Sequence, residues 1–227
     1  MFCRSLKPGI FLVCVLLAFC LPVSAYSPEA AGQYSAGLNL TQAGNYTEAA
    51  AAFQKAVALE PSYFEAWNGI ADILNRDGQF SPALAASNRS LAINPEYAEG
   101  WINRGQILYN IGYVYENQSD MKTANALYND QLTAFRTAEK IDPKNAEAWF
   151  NEGYALAGLK RYDEAISTFN HVAALDPAYP KLQANIRIAE KLRDASTPVY
   201  VKYWLPIAGL IAVAGVVMAW VVLRKRT

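Results

Sequence analysis

The stretch AEAWFNEGYALAGLKRYDEAISTFNHVAALDP, residues 146–177, decides the fold, because its pattern predicts two helices joined by a short turn. The turn falls at residues 158–160, and Pro177 ends the second helix. The small residues Gly153 and Ala165 let the two helices approach closely. The large residues Trp149, Leu156 and Phe169 fill the space between the helices. One such pair cannot bury its apolar face, so the stretch predicts a unit that stacks on similar units.

Three other stretches have a similar layout, and each of them ends at a proline. The four prolines are Pro61, Pro95, Pro143 and Pro177, and the first and last intervals are both 34 residues. With Trp, Gly, Leu, Ala, Phe and Pro at corresponding places, the chain resembles the tetratricopeptide repeat (TPR) family, whose helix-turn-helix unit has a period of about 34 residues. The resemblance implies an all-α, right-handed superhelical solenoid.

We predict that the TPR domain covers residues 26–195. Its units are residues 30–63, 64–97, 98–145 and 146–179, followed by a capping helix over residues 180–194. Departures from the family pattern are Gln33 in place of Trp, Ser87 in place of Phe, and Glu152 in place of an apolar residue. The first of these suits a terminal unit.

The third unit is 14 residues longer than the others. Because 14 adds about two turns to each of two helices, both apolar faces stay in phase. We therefore predict a protruding helical hairpin, residues 101–115 and 121–140, with its tip at residues 116–120. The alternative is a floppy insert of equal length, and the tyrosines of this unit favour the hairpin.

The two ends of the chain predict export and a membrane anchor. Residues 1–25 have a basic start, a short apolar run and small residues before a cut, as a cleaved signal peptide does. Residues 204–223 carry no charge and are long enough to span a bilayer, after a linker at 196–203. The basic tail, residues 224–227, predicts that the C-terminus is cytoplasmic and the TPR domain extracytoplasmic. Wall attachment is an alternative, because residues 205–209 look like a sortase signal with Ala208 replacing Thr.

The composition argues against several classes of function. All three cysteines lie within residues 1–25, so the mature domain has no thiolate site, and its one histidine is His171. No phosphate loop, nucleophile elbow or metal-spaced acid motif occurs, so we predict no enzyme, no cofactor and no metal. Between the end segments the net charge is about −5, which argues against nucleic acid as a partner.

The resemblance to TPR proteins implies binding of a peptide or partner protein on the concave face, which the first helix of each unit lines. The residues expected there are Tyr34, Asn68, Asp72, Asn75, Arg76, Asn103, Gln106, Tyr109, Asn110, Asn151 and Tyr154. Asn103 and Asn151 occupy equivalent places, and an amide row suits a peptide backbone because an amide both donates and accepts. The Lys and Arg pattern that clamps a C-terminal carboxylate in some relatives is absent.

The expected function is therefore a membrane-tethered scaffold, and the alternative is an accessory docking subunit of a membrane-bound enzyme or secretion complex. Small residues four apart in residues 208–219 are compatible with a weak homodimer through the anchor. Asn45 and Asn117 are glycosylation candidates, because each begins an Asn-x-Ser/Thr sequence and both are expected in loops.

Overall fold

The computed structural model describes residues 26–196, which contain nine α-helices and no strand. The helices are α1 (Pro28–Gln42), α2 (Tyr46–Leu59), α3 (Phe64–Arg76), α4 (Phe80–Ile93), α5 (Ala98–Asn117), α6 (Met121–Ile141), α7 (Ala146–Gly158), α8 (Tyr162–Leu175) and α9 (Leu182–Ser196). Helices α1 to α8 pack as four consecutive pairs, and α9 packs on α8. The predicted all-α fold is confirmed.

The helices belong to two compact units, one ending at Pro95 and the other beginning at Glu96. The first unit contains α1 to α4, with α2 packed on α3. The second contains α5 to α9, with α6 packed on α7. The handedness of a superhelix built from the two units stays a prediction.

The turn inside each helix pair contains one residue in the left-handed backbone region. These residues are Gly44 (φ 78°), Gly78 (φ 75°), Ser119 (φ 64°) and Lys160 (φ 61°), each two positions beyond the last residue of the first helix. Glycine adopts this conformation without a steric penalty, whereas Ser119 and Lys160 must bear one. One residue in the left-handed backbone conformation therefore helps to reverse the chain direction in all four pairs.

In three of the four pairs, α1/α2, α5/α6 and α7/α8, an aromatic ring of the second helix packs directly on a glycine of the first. A Cβ atom added to Gly37 would lie 2.5 Å from the Phe53 ring, and one added to Gly153 would lie 2.7 Å from the Phe169 ring. The Phe53 and Phe169 side chains are almost completely buried. Only glycine permits these contacts, so the glycines set the distance between paired helices.

The long pair α5/α6 repeats this contact seven residues further out. Gly105 faces the ring of Phe135, and Gly112 faces the ring of Tyr128. Seven residues are about two helical turns, so the second contact falls on the same face as the first. Two paired helices occupy the place of the predicted hairpin, and their turn at residues 118–120 lies inside the predicted tip, while protrusion beyond the neighbouring units stays a prediction.

Two indoles are held by the prolines that close the preceding unit. Trp67 Nε1 donates a hydrogen bond to the carbonyl of Pro61 at 3.0 Å, and Trp149 Nε1 donates to that of Pro143 at 3.0 Å. This bond ties the first helix of a unit to the connection before it. The Trp and Pro of the repeat signature thus act together.

Two further predictions concern residues at or beyond the described range. No helix within residues 26–196 is long and apolar enough to cross a membrane. The predicted signal peptide and the predicted span at 204–223 lie outside the described residues.

The two glycosylation candidates lie within the described residues. Asn45 is in a loop as expected, but Asn117 is the last residue of α5, so its placement in a loop was wrong.

We expect Gly105→Ala to destabilise the protein by about 1–3 kcal/mol, because the new methyl group would lie 2.4 Å from the buried Phe135 ring. The matched control is Gly32→Ala in α1, where nothing lies within 4 Å of the added Cβ. That variant should be unchanged or stabilised by up to about 1 kcal/mol, since alanine favours helix more than glycine. Urea unfolding followed by circular dichroism measures both, and equal midpoints for the two variants would contradict the proposed role of Gly105.

Candidate functional site

The second unit contains an open groove with a volume of about 690 Å³. One part of its lining comes from α5 and α6, another from α7 and the turn after it, and a third from α9. We call it the hairpin groove; its principal lining side chains are Tyr109, Tyr113, Tyr128, Tyr154, Ile188 and Leu192. The groove exists because α5 and α6 continue beyond the length of an ordinary pair.

Much of the apolar lining is exposed to solvent. Tyr113 is 52 % exposed, Tyr154 51 % and Ile188 55 %. Isolated apolar side chains on a surface need no explanation, but several around one concavity indicate a contact surface. The hairpin groove therefore has the composition of a binding site for an apolar or aromatic segment.

Helix α9 contributes to the groove because it has two apolar edges. Leu182, Ile186 and Ala189 are buried, while Ile188 and Leu192 remain exposed and line the groove. The prediction that this segment is a solvating cap describes only part of its role. Its second edge presents apolar surface that no other described helix covers.

The structure brings together two of the predicted binding residues of the second unit. Tyr109 and Tyr154 both line the hairpin groove. Asn103, by contrast, is 6 % exposed, so the expected surface position of this amide was wrong. Asn151 is half-buried, and its Nδ2 atom is buried without a hydrogen-bond partner in the described part of the chain. Contact of these amides with a partner stays a prediction, as it does for Gln106 and Asn110, which are half-buried.

In the first unit, the predicted binding residues make contacts with one another or with the core. Tyr34 packs against Tyr63 and Phe53, with ring centroids 5.0 Å and 5.7 Å apart. Arg76 Nε donates to Asp72 Oδ2 at 2.9 Å, in an ion pair between residues one helical turn apart. Asn68 and Asn75 are half-buried. These side chains help hold the first unit together, and their role in binding stays a prediction.

The unusual Glu152 belongs to a buried acid pair at the α6/α7 contact. Both Glu139 and Glu152 are buried, and Arg136 Nε donates to Glu152 Oε1 at 2.7 Å. Burial raises the pKa of Glu139 well above its usual range, and the adjacent Glu152 carboxylate raises it further. The raised pKa favours the neutral form of Glu139, and the guanidinium of Arg136 opposes that shift.

The described residues contain no group of three or more His, Cys, Asp or Glu side chains that could hold a metal ion. His171 is exposed, and its ring packs on Trp149 with centroids 4.3 Å apart. The groove is lined by aromatic rings, aliphatic side chains and a few polar or charged groups.

Sequence reasoning missed part of the hairpin groove. Tyr113, Tyr128, Glu116, Ile188 and Leu192 were not among the predicted binding residues, although three of them lie in the long third unit. The available signal was the tyrosine content of that unit. Ile188 and Leu192 could not be separated from the buried residues of α9, because they occupy the same apolar pattern in the sequence.

The geometry defines an array of helix pairs with an open groove, and comparison with known proteins agrees with that class. The profile of the family described as Tetratricopeptide repeat matches residues 34–98 and 109–180, which is more than half of the chain. The chain therefore belongs to the tetratricopeptide repeat family. No match was found among curated protein sequences.

Several solved TPR structures are similar to this chain. TTC0263, a thermophilic TPR protein in Thermus thermophilus, is 21 % identical, with a TM-score of 0.63 over 70 % of this chain and 80 % of that one. A MamA protein is 17 % identical, with a TM-score of 0.56 over 78 % of this chain and 88 % of that one. The first TPR of Spaghetti (RPAP3), bound to the HSP90 peptide SRMEEVD, is 17 % identical, with a TM-score of 0.50 over 61 % and 98 %. At these identities the likeness shows the fold alone.

The acid pair predicts how stability depends on pH. Because the pKa of Glu139 is raised on folding, the folded state holds this proton more tightly than the unfolded state does. Its contribution is complete below the unfolded pKa of a glutamate and is lost as pH rises through the folded pKa, with a slope of up to about 1.4 kcal/mol per pH unit. Glu139→Gln keeps a hydrogen-bond donor and cannot ionise, so we expect the decline between about pH 5 and about pH 8 to flatten.

Urea midpoints measured across that pH range test this expectation. Glu99→Gln, an exposed acid on α5, is the matched control and should follow the wild type. If wild type and Glu139→Gln decline in parallel, the buried acid pair is not the source of the pH dependence.

Proposed function

We propose that this protein is a protein-interaction module that binds a peptide or a segment of a partner protein in the hairpin groove. The observation that carries the proposal is the exposed apolar lining of that groove, contributed by α5, α6, α7 and α9. TPR units present their side chains from rigid helix pairs, so the groove is pre-formed and a ligand does not need to order it. The RPAP3 relative, solved with a bound peptide, supports binding as the class of function.

We also propose that the module is held at the outer face of a membrane. The support comes from the sequence: a signal-peptide pattern at residues 1–25 and an uncharged stretch at 204–223 followed by basic residues. Only seven residues, 197–203, separate the end of α9 from the start of that stretch. In this arrangement the groove, which α9 helps to form, recruits partners close to the membrane surface.

Binding in the groove can be tested by cross-linking in the cells that produce the protein, followed by purification in mild detergent and mass spectrometry. The groove variant is Tyr154→Ala with Ile188→Ala, both more than half exposed. The matched control is Leu59→Ala with Tyr115→Ala, exposed apolar residues that do not line the groove. We expect the groove variant to lose at least about ten-fold of a specific partner, because central apolar contacts dominate binding energy.

The control variant should retain the partner. Loss of the partner in the control alone would place the binding site elsewhere on the surface. Absence of any specific partner from the wild-type sample would overturn the proposed interaction function.

The tether has its own test. We expect the full chain to remain in the membrane fraction after alkaline carbonate extraction, and a chain lacking residues 204–223 to be released. N-terminal sequencing of the purified protein should begin at Tyr26 if the signal peptide is removed after Ala25. A full-length chain that is extracted by carbonate would contradict the proposed anchor.

A further inference from the structure

The outer end of the hairpin groove combines aromatic rings with one carboxylate. The rings of Tyr109 and Tyr113 lie 6.5 Å apart between centroids at an interplanar angle of 20°, and those of Tyr109 and Tyr128 lie 6.0 Å apart. Tyr128 Oη donates a hydrogen bond of 2.6 Å to Glu116 Oε2. Since all four residues line the groove, a ligand entering there meets three rings and a negative charge together.

The Glu116 charge is not neutralised by a basic neighbour. Among residues 26–196, no Lys, Arg or His nitrogen lies within 4.0 Å of the Glu116 carboxylate. Lys160 also lines the groove, yet it makes no ion pair with Glu116. Burial raises the pKa of Tyr128 and the Glu116 carboxylate raises it further, whereas for Tyr109 the effects of burial, Tyr154 and Tyr113 are each larger than that of Glu116. The Glu116 carboxylate at this end of the groove therefore has no ion-pair partner among residues 26–196.

A carboxylate that has no ion pair and lies beside tyrosine rings favours a cation as the ligand group. The faces of tyrosine rings attract Lys ammonium and Arg guanidinium groups, and the attraction increases when the cation is partly removed from water. A carboxylate at the same place accepts a charge-assisted hydrogen bond, which an Arg side chain can donate in bidentate form. The rest of the groove is different, because Ile188, Leu192 and Met121 offer exposed apolar surface.

We propose that the hairpin groove takes a partner segment that places a Lys or Arg side chain against Tyr109, Tyr113 and Glu116, and an apolar side chain against α9. This inference rests on the proposed binding function and specifies the chemistry of the ligand. We expect a basic segment, because tyrosine rings surround the Glu116 carboxylate, which is the acidic group of the groove. An acidic segment directed to Lys160 is the competing occupant that the experiment must exclude.

The full chain in detergent micelles can be tested with short labelled peptides by fluorescence anisotropy. The probes share the sequence acetyl-Ala-Leu-Ala-Xaa-Ala-Leu-Ala-amide, in which Xaa is Arg, norleucine or Glu. We expect the Arg peptide to bind at least about ten-fold more tightly than the norleucine and Glu peptides, and its affinity to fall with added salt. Glu116→Gln should reduce binding of the Arg peptide to the level of the norleucine peptide and leave the norleucine peptide unchanged.

The matched control is Asp130→Asn, an exposed acid on α6 that does not line the groove, and it should retain the preference for Arg. Glu116→Gln can still hydrogen-bond to Tyr128, and an unchanged melting temperature shows that the hairpin is intact. The Tyr154→Ala, Ile188→Ala variant should weaken all three peptides.

The remaining outcomes separate this inference from the proposed function. Groove-dependent binding with no preference for Arg, or a preference that survives Glu116→Gln, overturns the basic-ligand inference and leaves the interaction function standing. A preference for the Glu peptide that is lost in Lys160→Met would show that the groove binds an acidic side chain at Lys160. That result also overturns the basic-ligand inference. If no peptide binds in a groove-dependent way, the basic-ligand inference is overturned, whereas the interaction function is decided by the cross-linking experiment.

Discussion

The contact between a glycine of one helix and an aromatic ring of its partner is the constraint on which the rest of this structure depends. At Gly37, Gly105 and Gly153 the ring lies where a Cβ atom would otherwise stand. The ring fills the space that glycine leaves, so the pair packs without a void and at one separation. A residue larger than glycine would push the helices apart, and a side chain smaller than the aromatic ring would leave a cavity. The packing of these three pairs is thus specified by residues within each pair, whereas Gly69 of α3 packs on Phe53 of the preceding pair.

The hairpin groove follows from repeating that contact once more. Because Gly112 and Tyr128 pack seven residues beyond Gly105 and Phe135, the long pair stays closed along its added length. A closed pair can support tyrosines on its surface in fixed positions, whereas a loose insert of the same length could not. The same lengthening places Glu116 and the tyrosine cluster beside α9, where Ile188 and Leu192 complete the groove.

The buried acid pair, Glu139 and Glu152, arises where the sequence departs from the repeat pattern. Glu152 stands where the family pattern expects an apolar residue, and Glu139 faces it from α6. The Arg136 guanidinium pairs with Glu152, and the raised pKa of Glu139 favours its neutral form, so the two carboxyl groups can lie inside the α6/α7 contact. Buried polar groups of this kind rarely add stability over an apolar pair, but breaking one is costly. The departure therefore makes this contact sensitive to pH.

The sequence alone determined the helix pairs and the length of the third unit, because both depend on local spacing: prolines 34 residues apart, and glycine and aromatic residues in phase. It also indicated Tyr109 and Tyr154 as surface residues. Only the tertiary structure decided that Asn103 is buried, that Ile188 and Leu192 face a groove, and that Tyr128 directs its hydroxyl to Glu116. A periodic pattern specifies which residues share a helix face, whereas the neighbour that covers each part of the face is set by helices distant in the sequence.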